Sequence, residues 1–517
     1  MKINLIKVTS RCVVFELENM GIYNTNGKCK VSVSGFNSFE TCKVVNTVNN
    51  LKPDTEYTIN VECDGEACEE TFVTNKEFVT LNVKDFGAYG DGIHDDTLFI
   101  QTAIYACPSC SRVLIPKGLY KITSLFLKSD ISIELAAGAE IIGNTERESH
   151  PYLPSVIQSY DENDEYILGT WEGNPRPMYT GIIMGMCVKN VCIYGEGVIN
   201  GNSSADNWWN NPKKLNVAYR PRTFFVNACE NISLIGITIK NSPSWTIHPY
   251  FSKNLEFYDL SIENPEDSPN TDGIDPESCT NVKIIGVKFS LGDDCIAVKS
   301  GKIYMGRKYK TPSENIIVRQ CLMQDGHGAV TVGSEMAGGV KNLLVENCRF
   351  VYTDRGLRIK TRRGRGKDAV IDEITFKNIE MDNVMTPFVI NCFYFCDPDG
   401  KSEYVQSREP GVVDERTPLI KKLRFEQINA KECHVAAAYF EGLPEKKIEE
   451  IVMNDINIEF ANDARSDVPA MSLGVNKCSK RGIVASNVSK LVLKKVFISG
   501  NEGDKYEFSG IEEVTEL

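Results

Sequence analysis

Lys189-Asn190-Val191-Cys192-Ile193, Glu230-Asn231-Ile232-Ser233-Leu234 and Lys253-Asn254-Leu255-Glu256-Phe257 are three versions of one short phrase. Thr280-Asn281-Val282-Lys283-Ile284, Glu314-Asn315-Ile316-Ile317-Val318 and Lys341-Asn342-Leu343-Leu344-Val345 are three more. Successive asparagines are 41, 23, 27, 34 and 27 residues apart. Each asparagine opens a short alternating apolar run, and no helical periodicity intervenes. A repeat of this length built from short strands predicts a parallel solenoid. Propeller blades need four antiparallel strands and longer repeats, so that architecture is excluded. Weaker units at Asp372 to Phe376, Lys421 to Phe425, Glu449 to Met453 and Lys490 to Leu493 extend the series. The expectation is an all-β chain dominated by a right-handed parallel β-helix.

Upstream of the repeats the texture differs twice. Asp96-Thr97 stands at an N-cap position before Leu98 to Ile104, whose spacing is helical. This helix is expected to cap the apolar end of the solenoid. Residues 1–77 carry short strands at Arg11 to Leu17, Lys30 to Ser34 and Thr58 to Cys63, separated by Gly, Asn and Pro turns. Leu51-Lys-Pro53-Asp-Thr55-Glu-Tyr57 ahead of an alternating strand is the pattern of a tyrosine corner. Two domains follow: a small β-sandwich over 1–77, resembling fibronectin type III modules, and a β-helix over 78–517. The sandwich is expected to be a spacer packed on the main domain in preference to a carbohydrate- or partner-binding module.

At 517 residues, 42% hydrophobic and 25% charged, the chain is neither disordered nor low in complexity. Its net charge of −13 excludes a general nucleic-acid or acidic-membrane binder. No apolar stretch reaches membrane-spanning length, and no secretory leader is evident, so the expected location is cytoplasmic. The 18 cysteines are scattered through apolar segments. The close pairs Cys107/Cys110 and Cys392/Cys396 lack a second pair to complete a zinc site and are expected to be free thiols. No metal or other cofactor is expected.

Strands in successive coils of a solenoid stack about 4.8 Å apart, so polar groups recurring at one phase become neighbours. Four consecutive coils supply such groups. Asp272 lies 18 residues after its leading asparagine, Asp294 13, His327 12 and Arg358 16. They sit within Asn270-Thr-Asp272, Gly292-Asp293-Asp294, Gly326-His327-Gly328 and Arg358-Ile-Lys360. Glycosidic cleavage needs one carboxyl to protonate the leaving oxygen and another to activate water. Crowding three aspartates raises at least one pKa by like-charge repulsion. Arg358 and Lys360 alternate on a strand and would grip a substrate carboxylate. Seven basic residues between Arg355 and Lys367, in an acidic chain, suggest a polyanionic substrate. Lys299, Asp275 and Glu277 are left outside the site as structural.

These four motifs, in this order, resemble the signature segments of family 28 glycoside hydrolases, the polygalacturonases. The likeness runs over most of residues 80–500 and includes Phe86-Gly-Ala-Tyr-Gly90-Asp-Gly92 and Gly195-Glu-Gly197-Val-Ile-Asn-Gly201. The resemblance implies an inverting hydrolase of α-1,4 bonds between galacturonic acid residues in pectic poly- or oligosaccharides. It implies Asp293 as general acid, Asp272 and Asp294 as the groups holding and deprotonating water, and His327 as a modulator of the acid. Asn270, Arg358, Lys360 and Tyr394 would contact substrate, and Cys392 departs from the polar residue usual two positions before that tyrosine. Inversion calls for acid and base about 6.5–9.5 Å apart. Long insertions at 146–180, with Tyr152, Tyr160, Trp171, Arg176 and Tyr179, and at 393–417 are expected on the binding face. Together with Gly333-Ser334-Glu335-Met336, they resemble bacterial exo-acting members. The rival readings are a rhamnogalacturonan hydrolase, a calcium-dependent pectate lyase on the same fold, and a non-catalytic glycan-binding protein.

Overall fold

Each asparagine phrase forms one strand of a coil, and the coils stack through parallel hydrogen bonding. The structure is a computed structural model that describes residues 1–158 and 165–517. Strands Lys189–Gly195, Glu230–Ile235, Lys253–Tyr258, Thr280–Ile285, Ser313–Arg319 and Val340–Val351 pair in sequence order, all parallel. The weaker units join the same sheet as Val370–Asp382, Lys422–Cys433, Ile448–Phe460 and Val488–Ser499. The connections are the right-handed crossovers that parallel strands impose. The architecture is a right-handed parallel β-helix with a small antiparallel module before it.

The leading asparagines do more than mark the repeat. Their φ values lie between 51° and 59°, left-handed backbone that asparagine tolerates better than most residues. Their side chains form a ladder along the outside of the solenoid. Asn231 Nδ2 donates to Asn190 Oδ1 at 2.8 Å, Asn254 to Asn231 at 3.0 Å, and Asn281 to Asn254 at 3.0 Å. Asn315 donates to Asn281 at 3.2 Å and Asn342 to Asn315 at 2.8 Å. Three residues inward from each asparagine, the register stacks Ile193, Leu234, Phe257, Ile284, Val318 and Val345 in one buried column.

Helix Thr97–Ala106 lies at the N-terminal end and buries Ile100, Ala103 and Ile104 against the core. Asp96 occupies its N-cap position, yet its carboxylate does not bond the helix. It accepts instead from the backbone N–H of Tyr89 and Gly90, at 2.6 and 2.9 Å, tying the preceding loop to the cap.

A second parallel sheet carries the site. It consists of four strands from Leu125–Phe126 to Ile247–Tyr250 and seven from Ile296–Val298 to Tyr506–Ser509. Single bridges through Ile274 and Glu277 join the two groups into one face.

Residues 2–73 form a three-stranded and a four-stranded antiparallel sheet around their own core. The Tyr57 hydroxyl accepts from the Lys52 N–H at 3.0 Å and fastens the corner before Glu56–Cys63. Cys29 and Cys63, opposite each other on adjacent strands, form a disulfide. No local motif marks this pair, since 34 residues separate them. The other sixteen cysteines are free, including Cys107, Cys110, Cys392 and Cys396. The module packs Cys12, Val14, Val44 and Val45 against Tyr194, Ile235, Tyr258 and Ile285 on the asparagine-bearing sheet. Lys7–Glu256 at 2.7 Å and Arg319–Glu16 at 2.8 Å flank that contact.

Replacing Asn281 with Ala removes two ladder bonds, each contributing about 0.5–1.5 kcal/mol, and leaves a Cβ in left-handed backbone. A stability loss of about 2 kcal/mol is expected from the shift in denaturation midpoint. Asn281→Gly should lose less, because glycine adopts this φ without strain.

Candidate functional site

Backbone hydrogen bonds place the four motifs on adjacent rungs of the second sheet. Thr246 N donates to Asp272 O at 2.8 Å, Gly273 N to Asp294 O at 3.0 Å, and Cys295 N to Gly328 O at 2.8 Å. Ala329 N then donates to Arg355 O at 2.8 Å. The residues predicted to share a phase therefore do share one. Arg358 and Lys360 follow along strand Arg355–Lys360 with alternate residues facing the same side.

The resulting cavity holds about 660 Å³ and is lined by Asn270, Asp272, Asp293, Asp294, His327, Arg358, Lys360 and Tyr394. All eight residues singled out in the sequence meet in this one space. Carboxylate oxygens of Asp272, Asp293 and Asp294 lie within 4.8 Å of one another. That is tighter than the separation expected for an inverting pair, and the reason is the fold. Asp272 and Asp294 stand on neighbouring rungs, whose spacing sets their distance, and Asp293, the expected acid, is fixed beside Asp294 by the peptide bond between them.

Each carboxylate has a different environment. Asp294 is buried, and Lys360 Nζ at 2.7 Å and Arg358 Nη1 at 3.1 Å contact its two oxygens. Burial alone would raise its pKa, but these two cations outweigh it and hold the group well below the usual carboxylate range. Asp272 is also buried; burial first and Asp293 second push it up to about 7. Lys299 Nζ, 3.6 Å from Asp272 Oδ2, opposes that rise. Asp293 is the most accessible of the three, with 21% of its side chain exposed. Its Oδ1 faces His327 Nδ1 at 3.3 Å, and this contact raises the imidazole pKa. An accessible carboxyl beside a histidine suits proton delivery to a leaving oxygen. The buried pair behind it suits water.

The substrate-facing cations differ from the expectation. Arg358 and Lys360 line the cavity, yet in this structure both are ion-paired to Asp294. The basic run that follows is no solvated patch. Arg362 and Arg365 pair with Asp397 at 3.1 and 2.7 Å, Arg363 with Glu445 at 2.6 Å, and Lys367 with Glu415 at 2.9 Å. Arg363 also donates to the backbone of Tyr404, Ser407 and Glu409. These cations fasten the 393–417 insertion as a wall of the cavity; they do not present charge to a ligand. Asn270 is likewise held, its Oδ1 accepting from Arg220 Nη2 at 2.8 Å.

The earlier insertion supplies another wall. Glu172 lines the cavity, and Trp171 stacks on Tyr219 with ring centroids 4.7 Å apart. Gly173 approaches so closely that a Cβ there would meet the Glu335 side chain at 2.6 Å, and its φ is +73°. Tyr179 packs against Trp208 instead, Tyr152 and Arg176 are exposed, and Tyr160 lies outside the described residues. Lys213, Asp397, Pro398 and Met471 complete the lining from other loops.

Sequence reading did not place Trp245, Glu335 and Asp354 in the site, although they line the cavity; Lys299, set aside as structural, and Arg355, counted only in the basic run, line it as well. Trp245 lies 14 residues after Asn231, inside the phase window that linked the aspartates, so the same logic extended to aromatics finds it. Lys299 lies 18 residues after Asn281, the same offset as Asp272 from Asn254, so the phase carried its signal too.

A β-helix that gathers three aspartates and a histidine over buried cations is the frame of a glycoside hydrolase. The chain belongs to the glycosyl hydrolases family 28, whose model matches residues 109–478. It is 28% identical to a probable polygalacturonase of Vitis vinifera over 413 residues, 77% of this chain and 79% of that one. A hyperthermoactive exopolygalacturonase from Thermotoga maritima superposes with a TM-score of 0.60 at 27% identity, over 75% of this chain and 89% of that one. A family 28 exopolygalacturonase from Yersinia enterocolitica shares the fold over 99% of this chain and 98% of its own, with a TM-score of 0.69 at 20% identity.

Asp293→Asn is expected to lower kcat by about 10²–10⁴-fold, the range for loss of a general acid. Oligosaccharide affinity, measured by calorimetry, should stay within a few-fold of wild type.

Proposed function

We propose that the protein hydrolyses α-1,4 bonds of polygalacturonate and its oligomers, acting from the chain end with inversion. The carrying observation is a single cavity holding three aspartates beside Arg358 and Lys360. Hydrolysis of this polymer is supported by family membership and by the polygalacturonase relatives. A uronate is favoured over a neutral sugar because Arg358 and Lys360 line the cavity that holds Asp293. Attack at chain ends is supported by walls from Glu172, Lys213, Pro398 and Met471, drawn from loops of coils before and after the carboxylates. The Thermotoga maritima relative is itself an exopolygalacturonase.

Inversion rests on the same geometry. Asp294 is held by two cations and Asp272 by Lys299, so neither is free to swing onto a sugar as nucleophile. The 4.8 Å spacing is the observation that weighs against it. A lyase reading is weakened because Arg358, its candidate base, is paired to Asp294. No residue of 1–77 lines the cavity, which supports a structural role for that module. Its three-plus-four strand arrangement and the Tyr57 corner support the fibronectin type III likeness. A cytoplasmic site of action is part of the proposal on the strength of sixteen free thiols; the Cys29–Cys63 bridge points the other way.

Purified protein incubated with long polygalacturonate and excess chelator is expected to release one short product from the outset. The first-formed anomer, followed by NMR, should be β. A ladder of intermediate sizes would replace chain-end attack with mid-chain cleavage, and an α product would replace inversion with retention. An ultraviolet-absorbing unsaturated sugar, lost with chelator, would establish the lyase reading instead.

A further inference from the structure

Below the cavity floor lies a layer of ionisable groups that the hydrolytic assignment leaves unused. Asp275, Glu277, Arg222 and His248 are wholly buried, and Lys299 and Glu335 nearly so. Lys299 Nζ stands 3.3 Å from Asp275 Oδ1, 3.4 Å from Glu335 Oε2 and 3.6 Å from Asp272 Oδ2. It also lies 4.3 Å from the centroid of the Trp245 ring. Arg222 is 4.5 Å from that same ring and 4.6 Å from Trp171 of the insertion. Tyr219, Trp171, Arg222, Trp245 and Lys299 thus form a column of alternating rings and cations that ends on the catalytic carboxylate. Cation–π contacts of this kind strengthen where solvent is excluded.

The charges in this layer do not balance if every acid is ionised. Asp272, Asp275, Glu277 and Glu335 share Lys299 and Arg222 within the layer; Lys302, Arg365 and Lys360 also act on Glu335, and Lys360 on Asp272, but each of these is itself paired to Asp397 or Asp294. His248 is a neutral donor: Arg222 Nε approaches its Nδ1 at 3.4 Å, and its Nε2 lies 2.9 Å from Glu277 Oε2. Burial and the neighbouring cations push its pKa far down. Buried carboxylates that share so few cations are costly enough that protons stay on the two least served. Asp275 is one: it is wholly buried, neither of its oxygens accepts a hydrogen bond, and burial and then the charge of Asp272 push its pKa far up. Glu277 is the other, pushed up to about 8 by burial and then by Glu335. Glu335 stays ionised because Lys299 and Lys302 outweigh its burial. The remaining charged groups facing Asp272 are Asp293, Asp294 and Lys360.

We propose that Lys299 is a positioning residue for hydrolysis: clamped on Trp245, it keeps Asp272 as the ionised member of a buried Asp272–Asp275 pair, with Asp275 donating the shared proton. Asp272 is thereby aimed at the water and carries its negative charge above about pH 7, while Asp275 locks its orientation from below. Trp171 and Arg222 extend the clamp to the insertion that walls the cavity. This inference rests on the hydrolytic reading above.

The test is the pH dependence of kcat/KM on galacturonate oligomers for wild type, Lys299→Met, Lys299→Arg and Asp275→Asn. In Lys299→Met the acidic limb is expected to move up by about one pH unit, a loss of about tenfold on that limb. Lys299→Arg should return most of the shift. Asp275→Asn exchanges one neutral group for another, so its limb should stay in place although kcat falls. An unmoved limb in Lys299→Met would overturn the proposal, as would a limb that moves down in Asp275→Asn. Should Lys299→Met fail to fold, Lys299→Arg and Asp275→Asn still decide it, together with infrared spectra. The carbonyl band of a protonated carboxyl is expected at pH 7 in wild type and reduced in Asp275→Asn; an unchanged band overturns the assignment. A wild type inert on galacturonate oligomers refutes the substrate reading alone, because the infrared band reports the proton independently of turnover.

Discussion

Parallel strands in adjacent coils are hydrogen-bonded at about 4.8 Å, and no side chain can change that spacing without breaking the ladder. The asparagine stack enforces it along the outer corner, where six left-handed residues repeat one bond. The apolar columns enforce it inside. Groups on neighbouring rungs therefore meet whether or not their charges favour it. Asp272 and Asp294 are such a pair, and their closeness is imposed on the chemistry by the scaffold.

Imposed crowding of carboxylates requires compensation, and the site supplies it unequally. Arg358 and Lys360 stabilise Asp294 from the following rungs, while Lys299 sits under Asp272 and serves three acids at once. Asp293, projecting toward solvent, meets His327 and the backbone N–H of Asp294 but no cation. Three chemically identical side chains thus acquire three electrostatic settings within a few ångströms. The accessible one is suited to give a proton and the buried ones to hold water.

The fold was legible because its signal is periodic: one asparagine phrase, repeated, reports both strand position and coil length. The site was legible for the same reason, since Asp272, Asp294, His327 and Arg358 recur near one phase. What escaped was whatever the phase does not encode. Arg362, Arg363 and Arg365 looked like a surface for polyanions, yet their partners Asp397 and Glu445 lie 32 to 82 residues further on, in segments without periodicity. Lys299, in phase 18 residues after Asn281 yet set aside as structural, shows its role only once acids from two other coils are brought to it. The Cys29–Cys63 bridge escaped because antiparallel pairing brings the two together without a local motif.

The buried basic run also explains how a regular solenoid acquires a specific pocket. Coils stacked at constant spacing offer an open face, equally suited to any extended chain. Specificity must come from loops, and loops lose conformational entropy when ordered. Here that ordering is driven by internal ion pairs. Arg363 with Glu445 secures the 393–417 segment, and Glu165, bonded to the hydroxyls of Tyr304 and Tyr309, secures the earlier insertion. Trp171 then carries that second anchor inward through Arg222 and Trp245 to Lys299. The wall that selects substrate and the cation that conditions the carboxylate are consequently parts of one packed column. A change in the insertion that disturbs Trp171 should reach the acid–base chemistry as well as recognition, although Trp171 itself touches no carboxylate.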